Sequence, residues 1–228
     1  MSLPSRRPSR GARLVATIAA LAASGTGLAA CGSDDGDGHH GSDAGAVETA
    51  RNGDEFNQAD VDFATAMIPH HAQAVQMANL AVDRPLPADL RALVDGIHTT
   101  QVAEVETMVT WLTDWGQPIP ETSMDHVNGG HGDDMDDMSD MSDMDDHAMG
   151  DMPGMMSAEE MTGLARASDA KFPELWMTMM VEHHEGAIEM AEAERDAGHF
   201  PDAVDLAGAI VETQRTEIAA MEDLLDEG

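Results

Sequence analysis

Two histidine pairs, His70-His71 and His183-His184, are the residues of this chain best suited to chemistry. Each pair follows a methionine by three positions, Met67 or Met180, and a second methionine comes after it, Met77 or Met190. Imidazole is the commonest metal ligand among side chains. Joined by thioether sulfur it suits Cu(I), and by extension Ag(I), whereas Mg, Ca and Mn favour oxygen donors. Neighbouring residues on a helix diverge by about 100°, so one pair on one helix does not fully serve a single ion. The expected arrangement has four histidines facing the middle of a bundle about a pseudo-twofold axis. Glu104 and Glu217, each four residues before a methionine, Met108 or Met221, form a second set. A carboxylate on an inward stripe needs a partner, either a metal or a histidine N–H. The competing explanation is structural: glutamate and histidine pair to satisfy each other, and methionines at helical spacing fill a core.

The elements that carry these residues come in two copies. Met67 to Ala78 returns as Met180 to Ala191, and the same offset aligns Ile97 with Ile210, Thr100-Gln101 with Thr213-Gln214 and Leu112 with Leu225. An ungapped register of this length marks a duplicated unit. Apolar steps of three and four predict helices over about 54–82, 88–115, 173–197 and 202–226, with no convincing strand. Leu175, Val82 and Met190 are expected on inward stripes. Pro69, one residue before the first pair, removes a backbone donor and is expected to bend its helix. Arg84-Pro85-Leu86-Pro87 and Gly198 to Pro201 break the two hairpins, and Ser157 with Glu160 forms a capping box that opens a short extra helix. The expected architecture is all-α: a four-helix bundle built from two helical hairpins, 54–116 and 157–228, joined by a Met/Asp-rich loop, 117–156. Each half is too small to bury a good core alone, so the halves should pack together.

Charge and leader bound the setting. The chain has 44 acidic against 11 basic residues and a net charge of −33, which repels nucleic acid and anionic lipid and attracts cations. Residues 1–31 read as an export signal, with Arg6, Arg7, Arg10 and Arg13 ahead of a short apolar run. Its end, Leu28-Ala29-Ala30-Cys31-Gly32, resembles the bacterial lipobox. Cys31, the only cysteine, is therefore the expected lipidation site, tethering the protein to the outer face of the cytoplasmic membrane. Residues 32–53, rich in Gly, Asp and Ser, read as a flexible tether. Residues 121–156 hold nine methionines, eleven acidic residues and three histidines with no Lys or Arg. That composition predicts a disordered segment that gathers metal, or a plain low-complexity linker.

The repeated Met-x-x-His-His with a following Met-Ala, in helical hairpins behind a secretion signal, resembles a bacterial family of domains of unknown function, the one numbered 305. The resemblance implies a ferritin-like four-helix bundle associated with copper binding and tolerance outside the cytoplasm. It places Met67, His70, His71 and Met77, with Met180, His183, His184 and Met190, among the metal-binding residues. A ferritin-like di-iron enzyme would carry Glu-x-x-His on two helices; here Met-x-x-His stands instead. Three functions follow as expectations: a non-enzymatic lipoprotein that sequesters or transfers Cu(I), a di-metal oxidase using iron or copper, and a helical interaction module without metal. Fe or Zn is the less favoured ion.

Overall fold

A computed structural model of the chain describes residues 45–122 and 152–227, all within the compact unit that spans residues 41–228. The stretch read as an export signal, Cys31, most of the stretch read as a tether and most of the Met-rich segment lie outside the described residues.

The described chain is mostly helical. It runs β1 (Glu48–Thr49), β2 (Glu55–Phe56), α1 (Gln58–Ala81), α2 (Ala88–Trp115), α3 (Ala158–Arg166), α4 (Phe172–Ala197) and α5 (Pro201–Glu227). The two strands are a departure from the strand-free expectation. They pair antiparallel, Glu48 with Phe56 and Thr49 with Glu55, inside and just after the stretch read as tether. The small hairpin sets Phe56 flat on Trp115, ring centroids 4.7 Å apart, and this contact makes ordering it worthwhile.

Local chemistry fixes the helix ends. Asn57 caps α1 in a reciprocal box with Asp60, and Ser157 does the same for α3 with Glu160. Gly116 ends α2 in the left-handed conformation at φ 73°. The helix α1 runs through Pro69. Arg84, in the turn after α1, accepts the task of closing α3: its guanidinium donates to the carbonyls of Ala165 and Ala167, each at 2.8 Å, and its Cζ lies 4.6 Å from the centre of the Phe172 ring.

Helix α1 packs along α2 and α4 along α5, and α1 also crosses α4, while α2 and α5 barely touch. Two apolar clusters result. One joins Phe63, Met67, Met108 and Leu112 of the first copy to Ala187, Ala207 and Ile210 of the second. The other joins Ala74, Val94 and Ile97 to Trp176, Met180 and Met221. The repeat offset exchanges the two clusters almost residue for residue. The histidine pairs, lying along α1 and α4 between the two sets, form the layer that separates them. Outside the clusters the structure corrects two positions: Leu175 is 36% exposed and Val82, the C-cap of α1, 60% exposed. Met190 packs against the first cluster as expected, half-buried where Met77 is fully buried.

Candidate metal centre

All four histidines have 0% exposure. The seam between α1 and α4 lays the His70 and His183 rings against each other with centroids 3.9 Å apart and planes at 42°. His71 stands 6.5 Å from His70, and His184 6.4 Å from His183.

Partners across the layer decide which nitrogen each ring offers. His71 Nε2 meets Glu104 Oε2 at 2.8 Å, and His184 Nε2 meets Glu217 Oε2 at 2.8 Å. A carboxylate accepts, so Nε2 carries the donated proton in both and Nδ1 is the nitrogen without a partner among the described residues. His70 Nε2 lies 3.0 Å from the carbonyl oxygen of Pro153. A carbonyl only accepts, so the same tautomer follows. Among the described residues neither ring nitrogen of His183 has a well-formed hydrogen bond, and the Nδ1 atoms of the other three rings are likewise unpartnered and buried. Gln101 and Gln214, one turn before each glutamate, are also buried with both amide atoms unpartnered. Each buried polar group left this way costs about 1–3 kcal/mol, and their concentration in one layer marks a place built for something other than stability.

The electrostatics keep His70 and His183 neutral. Burial, then the nearby His71, pushes the His70 pKa down to about 3. Burial, then His70, holds His183 well below the ordinary imidazole value. Neutral imidazole is the form that binds metal. Around the layer, Met67, Met77, Met108, Met180 and Met221 are fully buried and Met190 is half-buried. Among the described residues no three His, Cys, Asp or Glu side chains form a ready-made metal cluster, so the layer does not reproduce the crowded carboxylate sets of di-iron proteins. Its imidazole and thioether donors fit a soft ion needing few ligands.

The sequence-predicted residues thus divide by place. The structure brings His70, His71, His183 and His184 into one layer, puts Glu104 and Glu217 on histidine N–H groups, and seats the methionines in the apolar clusters on either side. Sequence reasoning missed the segment 152–156, assigned there to the loop: Pro153 reaches His70, and Gln73 holds the Met156 backbone. The signal that could have found it is a mismatch in the repeat, where Gln73 of the first copy faces Gly186 of the second.

The family model for a domain of unknown function, DUF305, matches residues 60–225. Among curated proteins none matches the chain. A DUF305 fragment from Deinococcus radiodurans is similar at 28% identity and TM-score 0.59, covering 79% of this chain and 100% of that one. A DUF305 protein from Streptomyces coelicolor is similar at 31% identity and TM-score 0.59, covering 74% and 93%. CopM in its Cu(II)-bound form is similar at 25% identity and TM-score 0.56, covering 74% and 96%, and CopM structures also exist in Cu(I)- and Ag-bound forms.

Proposed function

The chain belongs to the DUF305 family, and from that premise we propose that it is an exported copper-binding protein that sequesters Cu(I) or passes it on, with Ag(I) as a chemical stand-in. The observation that carries this reading is the buried layer of four histidines, each with a ring nitrogen that has no partner among the described residues, flanked by buried methionines. The copper- and silver-bound CopM structures support it.

In this reading the two hairpins work as one ferritin-like four-helix bundle, and the ion is cargo. The lone pairs of His70, His71, His183 and His184 are the donors. Glu104 and Glu217 act on the ion through histidine, orienting the rings and raising their basicity as carboxylates behind metal-bound histidines do. Met67 and Met180, one helical turn before each pair, supply sulfur, and Met77, Met190, Met108 and Met221 line the approaches. Binding without turnover is proposed, and the lipid anchor at Cys31 holds the protein outside the cytoplasmic membrane.

Replacing all four histidines by leucine should abolish tight Cu(I) binding in competition with a coloured chelator under reducing conditions. Undiminished affinity would overturn the assignment. The oxidase reading predicts oxygen consumption by the loaded wild-type protein on adding Fe(II) or excess Cu(I), and sustained consumption would replace binding by catalysis.

A further inference from the structure

One of the places where the duplication is broken lies just after the histidine pairs. Gln73, two residues after His71, is answered by Gly186, and between them lies the segment Met152–Met156. Gln73 treats that segment as a neighbouring strand would: its Nε2 donates to the Met156 carbonyl at 2.8 Å and its Oε1 accepts from the Met156 N–H at 2.7 Å. On the opposite side the segment lies against the backbone of α4. A Cβ on Gly186 would collide with the Pro153 carbonyl, and one on Gly154 would stand 2.6 Å from the Glu182 carbonyl oxygen and 2.9 Å from that of His183. Gly154 also has φ +73°, a conformation other residues rarely adopt. A two-point clamp and a glycine contact therefore hold Pro153 in the seam of α1 and α4, with its carbonyl 3.0 Å from His70 Nε2.

An apolar cover would have sealed the layer equally well. This segment instead aims one acceptor at one ring. Its effect is to make the stacked pair unequal: His70 has a fixed proton on Nε2, while neither His183 nitrogen has a well-formed hydrogen bond among the described residues.

We propose that Gln73, Gly154 and Gly186 are positioning residues for metal binding: they clamp the Met152–Met156 strap so that the Pro153 carbonyl locks His70 as its Nε2–H tautomer, with Nδ1 turned out as a ligand. The metal half of this inference rests on the copper reading above; the tautomer half stands without it.

The test uses the full chain, with and without Cu(I). Gln73→Leu removes both clamp bonds at similar volume, and Gly186→Ala displaces Pro153. Imidazole nitrogen NMR of the metal-free protein should show protonated Nε2 at His70, His71 and His184 in the wild type. In both variants only His70 should lose that signature, its ring proton exchanging with solvent at least about tenfold faster, and Cu(I) affinity should fall by about 10–100-fold, as for other residues that orient a ligand. Should Gly186→Ala fail to fold, Gln73→Leu carries the test alone. An unchanged His70 signal while the Met156 amide exchanges faster would overturn the clamp's hold on the tautomer. A changed His70 with undiminished Cu(I) affinity would overturn the positioning role. A wild type that binds no Cu(I) would sink the copper reading, while the nitrogen spectra still decide the tautomer.

Discussion

At the scale of single residues, the histidine layer trades stability for reactivity. His183 is wholly buried, and neither ring nitrogen has a well-formed hydrogen bond among the described residues; a side chain so placed weakens the fold that holds it. His183→Leu, close in volume and without polar atoms, should therefore raise the stability of the metal-free protein by about 1–3 kcal/mol in denaturant unfolding. It should weaken Cu(I) binding at the same time. A loss of stability would show that His183 is satisfied in solution by some group such as water, and would remove the trade. The carboxylate partners were half legible in the sequence. Glu104 and Glu217 stood out as charges on apolar stripes, but spacing alone could not say whether metal or histidine answered them. The distances of 2.8 Å assign histidine.

At the scale of elements, the strongest sequence signals were those with a local physical cause. The helices begin and end within a few residues of where caps and breakers placed them, because a cap is satisfied by residues within one turn. Asn57 is the cap with the widest reach: beyond its box with Asp60, its Nδ2 donates to the Ala197 carbonyl at 2.8 Å, tying the start of α1 to the end of α4. Asn57→Ala should cost about 1–2 kcal/mol, at the upper end for an N-cap, measured as a lowered denaturant midpoint with unchanged slope. An effect near zero would mean that backbone groups alone hold that corner. Less legible was anything decided by distant packing. Leu175 fits an inward stripe yet faces out, and nothing short-range marks the strap or the Gln73–Gly186 mismatch. Periodicity also could not separate Asp60 and Glu194 from ordinary surface acids. In the fold both are buried, with Asp60 accepting from the backbone N–H groups of His199 and Phe200 at 2.9 Å each. Glu194, crowded against Gly198, gains a partner by keeping its proton and sharing it with Asp60.

At the scale of the molecule, these buried groups give the metal-free protein opposing responses to pH. His70 has a folded pKa of about 3 against 6.5 unfolded, so its contribution is present at neutral pH and lost as pH falls through that interval. Glu194 is pushed up to about 9, first by burial and then by Asp60, from 4.5 unfolded. Its contribution is present below 4.5 and lost as pH rises toward 9. Stability should thus decline on both sides of a mildly acidic optimum, and Glu194→Gln should flatten the alkaline side alone in urea midpoints taken across that range. A variant that follows the wild-type decline would move its origin to another group. The duplicated plan was readable because it repeats. The charge of −33, by contrast, fixes the affinity of the surface for cations and says nothing of where one is held. Trp176, finally, is fully buried beside the layer and donates its indole N–H to the Met77 carbonyl at 2.9 Å, across the α1–α4 seam. The other indoles, Trp111 and Trp115, are stacked 6.2 Å apart in the opposite apolar cluster. The protein therefore carries an internal fluorophore whose colour and brightness report on the seam between α1 and α4, at a remove from the two that would glow with the far end.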